Sequence, residues 1–239
     1  MTDFKCKHLT GILVPALWLA LVISCKPVES LIQAEENFRW EEDIQWIDSL
    51  NAVEHSDENT LLVTGSSSVR LWDSIHTDLA PYQVMQRGYG GSKLSDFNLY
   101  AERIIKPHPF KAIVIFVAND IHGGDDDRSP REVFQLYQIL VYKIRNRNPY
   151  TPVFWIETTP TPSRWHVNDR VRKANHLIRD WSDESEDLHF ISTFDAYLTP
   201  EQLPDSSYFR EDMLHLNRKG YKQWAGIILS SLEAAGVKP

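Results

Sequence analysis

The chain has 239 residues, 42% of them hydrophobic and 24% charged, a composition that supports one globular domain with its own core. Its formal charge is −8 and no cluster of lysine and arginine is present that would neutralise a row of phosphates, which argues against nucleic acid as a partner. Both cysteines, Cys6 and Cys25, lie in the N-terminal segment, so no disulfide can staple the remainder and the core must hold itself.

At the N-terminus, Lys5, Lys7 and His8 precede an apolar run from Ile12 to Ile23, too short to span a bilayer comfortably but suited to the h-region of a signal peptide. The run ends in Val22-Ile23-Ser24-Cys25, which resembles the lipobox of bacterial lipoproteins. That resemblance implies removal of residues 1–24 and a lipid on Cys25, tethering the protein to a membrane of the cell envelope. Removal would take away two lysines and one aspartate and move the formal charge from −8 to −9. An ordinary secretory signal with an incidental cysteine is the other reading.

Residues 25–58 are expected to form a tether and then an amphipathic helix, with Trp40, Ile44, Trp46 and Ile47 set among Glu35, Glu36, Glu41, Glu42 and Asp43. Its charges read as a solvated face. From residue 59 to 239 the pattern is that of a single domain. Short apolar runs predict strands at Leu61–Thr64, Tyr82–Met85, Ile113–Val117, Val153–Ile156 and Leu188–Ile191. Helical stretches alternate with them: Ser68–Thr77, Leu94–Ile105, Pro130–Arg147, Asn168–Trp181 and Arg218–Ala235. Ser129 and Pro130 have the chemistry of an N-cap and a first helical residue, and Pro149 stops that helix. Strands alternating with helices predict βαβ units, hence an α/β fold with a five-stranded parallel sheet covered on both faces. Sites in such sheets form at the carboxyl ends of strands.

Chemistry-bearing residues fall at those ends. Gly65-Ser66-Ser67-Ser68 follows the first strand, where a strand-to-helix turn exposes a hydroxyl, although a serine there is often only a helix cap. A phosphate loop would need a lysine and a glycine spacing that are missing. Asp212-Met213-Leu214-His215 places a carboxylate three residues before an imidazole, so the acid can hold one ring nitrogen while the other faces a hydroxyl. A surface ion pair is the bland reading. Arg87-Gly88-Tyr89-Gly90-Gly91-Ser92 follows the second strand and Val117-Ala118-Asn119-Asp120 the third, where a backbone N–H and an amide side chain would face a developing oxyanion.

Taken in order, Gly-x-Ser, Gly-x-x-Gly, Asn-Asp and Asp-x-x-His, followed by Leu216-Asn217 and Gly220-Tyr221, resemble the SGNH or GDSL hydrolase family over about residues 60 to 232. The resemblance implies a flavodoxin-like three-layer α/β/α sandwich and an esterase. It implies Ser67 as nucleophile, His215 as general base and Asp212 as its orienter. The oxyanion hole would be the N–H groups of Ser67 and Gly91 with the Asn119 side chain. Three positions depart from the family pattern: Ser66 stands where aspartate is usual, Arg87 lies near a common asparagine, and Ala118 replaces a glycine. A Gly-x-Ser-x-Gly elbow is absent, since Val69 occupies the second glycine position.

Trp72, Tyr89, Trp165 and His166 are expected near the site, Trp72 being equally suited to the core, and the loop Thr158 to His166 is expected to meet a sugar. Asp125-Asp126-Asp127 reads as an acidic solvated loop rather than a cation site, and His122, His166, His176 and His189 lack zinc-ligand spacing. No metal or cofactor is therefore expected. The anticipated substrate is a small-molecule or glycan ester with a short acyl group. A lysophospholipase, an O-acetyltransferase and a non-catalytic glycan- or lipid-binding module are the alternatives.

Overall fold

The computed structural model describes residues 28–105 and 107–239. The expected signal peptide and Cys25 lie outside the described residues. Thirteen elements carry the architecture: α1 (Val28–Ile32), α2 (Glu41–Val53), β1 (Leu61–Gly65), α3 (Ser67–Arg70), α4 (Ile75–Asp78), β2 (Val84–Gly88), α5 (Leu94–Ile105), β3 (Ala112–Phe116), α6 (Pro130–Arg145), β4 (Val153–Ile156), α7 (Asn168–Ser182), β5 (Leu188–Ile191) and α8 (Arg218–Ala234). The strands form one parallel sheet in the order β2-β1-β3-β4-β5.

Side-chain alternation along each strand sorts the core into two layers. Leu62, Ile113, Ile115, Val153 and Trp155 point to the face covered by α1, α2, α5, α6 and α7. Leu61, Val63, Val114, Phe154 and Ile156 point to the opposite face, under α3, α4 and α8. Because both faces are covered, β1, β3 and β4 are buried along their whole length, which explains their near-continuous apolar sequence. The result is the expected three-layer α/β/α sandwich.

Local chemistry sets the element ends. Ser129 accepts from the Glu132 N–H while Glu132 reaches back to the Ser129 N–H, a reciprocal cap that starts α6 at Pro130. The helix expected over Ser68–Thr77 is broken into α3 and α4. Between them, the Trp72 indole and the Ser74 hydroxyl both bond Asp78 Oδ2, at 2.8 and 2.7 Å, and these local side-chain bonds compete with a continuous helix. Strand β2 lies two to three residues beyond its expected span. Arg87 sits inside it, fully buried, with its head bonded to Asn51 and Glu54.

The segment expected to be a tether is docked from Val28 onward: Leu31 and Ile32 are buried, and Asn37 caps their carbonyls at 2.7 and 2.8 Å. In α2, Ile44 and Ile47 face the core while Trp46 turns to solvent. Its acidic residues are more than a solvated face, because Glu41 and Asp48 clamp Arg103 of α5. The N-terminal segment is thereby stapled to the same helix that follows the Gly91 turn.

Candidate active site

Gly65 ends β1 at φ +144°, and a Cβ there would lie 1.9 Å from the Phe116 carbonyl oxygen of the neighbouring strand. Only glycine permits that approach. The Ser66 N–H then bonds the Phe116 carbonyl at 2.8 Å, and the chain turns so that Ser67 opens α3 above the carboxyl edge of the sheet. At the first helical position, the Ser67 N–H has no carbonyl partner within its own helix.

His215 arrives from the loop before α8. Its Nε2 lies 3.0 Å from Ser67 Oγ and its Nδ1 lies 2.7 Å from Asp212 Oδ2. The other carboxylate oxygen, Asp212 Oδ1, accepts the N–H groups of Leu214 and His215, each at 2.9 Å. Met213, in the middle of this tight loop, takes a positive φ of 55°. Burial works to raise the Asp212 pKa, but the hydrogen bonds from the His215 ring and from the His215 and Leu214 N–H groups outweigh it and hold the carboxyl below the usual range. A hydroxyl, an imidazole and a carboxylate thus form one continuous hydrogen-bonded line. The two neighbouring serines do not join it. Ser66 is buried with its hydroxyl unpartnered among the described residues, and the Ser68 carbonyl accepts the Tyr221 hydroxyl.

The turn after β2 and the loop after β3 meet beside this line. Gly90 takes φ +30° and packs so closely under Trp40 that a Cβ would fall 2.1 Å from the indole ring. That contact fixes the turn carrying Gly91, which faces Asn119: a Cβ on Gly91 would sit 4.0 Å from Asn119 Nδ2. Asn119 Nδ2 donates to the Ser92 carbonyl at 3.0 Å, and the Leu94 N–H donates to Asp120 Oδ2 at 2.9 Å. The Asn-Asp pair thus holds the two loops together, the amide toward the site and the carboxylate behind it. Burial pushes the Asp120 carboxyl up to about 7, against the lowering effect of the Leu94 bond.

Ser67, His215, Asn119, Thr158, Arg164 and Trp165 line one cavity at the strand ends, which encloses about 40 Å³. Of the four residues expected to line it, Trp165 does. His166 is exposed and leans on Gly123, where a Cβ would meet its ring at 2.2 Å. Trp72 and Tyr89 are fully buried and belong to the core: Trp72 stacks on Tyr221 with centroids 5.3 Å apart, and Tyr89 lies edge-on to Trp40 and stacked on Phe97. Both follow strands closely in sequence, but their side chains turn inward beneath the turns instead of over the cavity.

The acidic run after Asp120 is also more structured than a solvated loop. Asp127 is nearly buried, accepts the His122, Gly123 and Gly124 N–H groups and pairs with Arg170, while Asp126 pairs with Lys93 and His122. Asp126 and Asp127 are thus held by protein cations and backbone donors, and with the His122 ring they bring three potential ligand atoms within 4.8 Å of one another.

Sequence reasoning missed Arg164. It donates from Nη1 to the Ala118 carbonyl and from Nη2 to Asn119 Oδ1, both at 2.9 Å. The one available signal was a lone arginine between two prolines and a tryptophan in the loop after the fourth strand.

A serine, an imidazole and a carboxylate in line at the strand ends of a parallel α/β sandwich form an arrangement suited to a hydrolase that works through an activated hydroxyl. The sequence matches the GDSL-like lipase/acylhydrolase family over residues 56–223, most of the chain, and the protein belongs to that family. Solved structures share its fold. A protein from Streptococcus pneumonia that carries the name of platelet activating factor superposes with a TM-score of 0.69 at 17% identity, covering 86% of this chain and 97% of its own. A GDSL-like lipase from Bacteroides thetaiotaomicron gives 0.66 at 16% identity, with 81% and 98% covered. A carbohydrate esterase family 3 protein from Talaromyces cellulolyticus gives 0.55 at 17%, with 75% and 99% covered. At these identities the likeness is one of fold. No curated protein sequence matches the chain.

Proposed function

We propose that the protein is a serine esterase that removes short acyl groups, acetyl above all, from a carbohydrate through an acyl-enzyme. The observation that carries this reading is the line from Asp212 through His215 to Ser67, at 2.7 and 3.0 Å, opening into the cavity that Asn119 shares. Ser67 Oγ attacks the ester carbonyl carbon as His215 Nε2 takes its proton, and the Asp212 carboxylate stabilises the imidazolium through Nδ1. The negative charge that develops on the carbonyl oxygen is met by the N–H groups of Ser67 and Gly91 and by Asn119 Nδ2. Collapse breaks the ester C–O bond, and the leaving alkoxide takes the proton from His215. Water then attacks the acyl-enzyme with His215 again as base, releasing the carboxylic acid and restoring the Ser67 hydroxyl.

The acyl-length preference is supported by the size of the cavity. At about 40 Å³ the cavity is small, which favours a group the size of an acetyl over a bulky acyl chain. The sugar preference is supported by the polar wall of Thr158, Thr159 and Thr161 and by Trp165, which is stacked on Phe194 with centroids 6.3 Å apart, Phe194 in turn lying under the Arg172 guanidinium. The N-terminal sequence supports a lipid anchor at Cys25 and a place in the cell envelope. Hydrolysis of p-nitrophenyl esters of increasing acyl length, followed by acetylated sugars and lysophospholipid, tests the reading. Acetyl should be preferred, and a clear preference for dodecanoyl ester and lysophospholipid would replace the carbohydrate assignment with a lipase-type one.

A further inference from the structure

Arg164 lies in the 3-10 turn Pro162–Val167, and its guanidinium, largely buried, spends two donors on the segment that follows β3. One goes to the backbone at Ala118 and the other to the side chain of Asn119. The turn itself is tied to its neighbours: the Arg164 N–H bonds the Thr161 carbonyl at 3.2 Å, and the Ser163 N–H bonds the Met213 carbonyl at 3.1 Å, inside the loop that presents His215.

An asparagine amide can ordinarily turn end for end at little cost, exchanging its oxygen for its nitrogen. Here it cannot. A guanidinium has only donors and the Ser92 carbonyl only accepts, so turning Asn119 would set N–H against N–H and oxygen against oxygen. With Oδ1 held by Arg164 and one Nδ2 hydrogen given to Ser92, a single Nδ2 hydrogen is left over, on a side chain that lines the same cavity as Ser67 and His215. A cation on Oδ1 also polarises the amide, which makes the remaining N–H a stronger donor.

We propose that Arg164 is a positioning residue that fixes the orientation of the Asn119 amide and strengthens its free N–H as the side-chain donor of the oxyanion hole. The inference rests on the esterase reading above. It also gives the departure at Ala118 a place in the site. Where the family usually has glycine, the backbone of this chain is held by the same guanidinium that holds the next side chain. Burial lowers the arginine pKa but leaves the group protonated at neutral pH, so the arrangement keeps its charge over the working range.

The test is a double-mutant cycle in kcat and KM for p-nitrophenyl acetate, using the wild type, N119A, R164A, R164K and N119A/R164A. Loss of an oxyanion donor costs about 10²–10³ in kcat, so N119A should fall in that range and R164A should lose about 10–10², with KM moving less than about threefold. In the N119A background, removing Arg164 should cost less than about threefold, because its partner is already gone. R164K, a single point donor unable to hold both oxygens, should fall between the wild type and R164A. Guanidinium ion at tens of millimolar, roughly the level needed to fill the vacated place, should restore several-fold activity to R164A and none to the double variant. Melting curves fix an assay temperature at which every variant is folded. Additive losses in the cycle, a change confined to KM, or unchanged kcat in R164A would overturn the proposal. A wild-type protein that turns over no ester would remove the esterase reading itself, whereas normal wild-type turnover with additive losses would sink only the role of Arg164.

Discussion

Asp212→Asn separates orientation of the base from its mere presence. Both backbone N–H groups that converge on Asp212 Oδ1 must still be accepted, so the asparagine oxygen takes that place and its Nδ2 takes the place of Oδ2, 2.7 Å from His215 Nδ1. An N–H facing that ring nitrogen forces the tautomer in which Nδ1 accepts and Nε2 carries the proton. Nε2 then points a hydrogen at Ser67 Oγ across 3.0 Å and cannot take one. The alternative, flipping the amide, would give up both backbone bonds. The Asp212 side chain is half exposed, so water softens its charge effect and most of the loss comes from the tautomer. The expected fall in kcat is about 10³-fold, equivalent to about 4 kcal/mol of transition-state stabilisation, with little change in KM. Stopped assays on p-nitrophenyl acetate at about pH 7.5, with circular dichroism to verify the fold, measure it. An Asp212→Asn enzyme that retained a third or more of wild-type kcat would refute the tautomer argument.

Gly65→Ala should be strongly destabilised or insoluble, by at least about 3 kcal/mol, because its Cβ would sit 1.9 Å from the Phe116 oxygen; a melting temperature within a few degrees of wild type would contradict the strained-turn account. Asp120 is enclosed and its carboxyl is raised to about 7, above its unfolded value of 3.8, so the fold favours its neutral form. Its contribution is therefore present at low pH and lost as pH rises through that interval. The melting temperature of the wild type minus that of Asp120→Asn should decline between about pH 4 and about pH 7 and then level off, and a flat difference across that range would show that the carboxylate is better solvated than its burial implies. Cys25→Ala in the full precursor should abolish lipid labelling and membrane fractionation, and persistent palmitate incorporation would remove the lipobox reading.

The sheet was legible in the sequence wherever a strand is buried on both faces, since Ile113 to Val117 or Val153 to Ile156 can hardly be read otherwise. Strand β2 was misplaced because Gln86 and Arg87 look like surface residues. The partners that make Arg87 a core residue, Asn51 near the end of α2 and Glu54 just after it, lie more than thirty positions away. Ser67, Gly91, Asn119, Asp212 and His215 were legible only through the resemblance to the SGNH or GDSL family, since spacing alone leaves Ser67 indistinguishable from Ser66 and Ser68 and Asp212-x-x-His215 from a surface ion pair. Direction was the missing quantity for Trp72 and Tyr89. Position after a strand does not tell whether an aromatic ring turns over the cavity or under the turn. Arg164 was illegible for a related reason, as its meaning lies in two acceptors 46 and 45 residues earlier that only the tertiary fold delivers.

The central claim is that Ser67, and neither of its neighbours, is the activated hydroxyl. Labelling the folded protein with a fluorophosphonate and mapping the adduct by peptide mass spectrometry tests it most directly. One adduct is expected, on Ser67, lost in Ser67→Ala and His215→Ala and retained in Ser66→Ala; an adduct on Ser66 or Ser68, or no labelling of the intact protein, would overturn the assignment of Ser67.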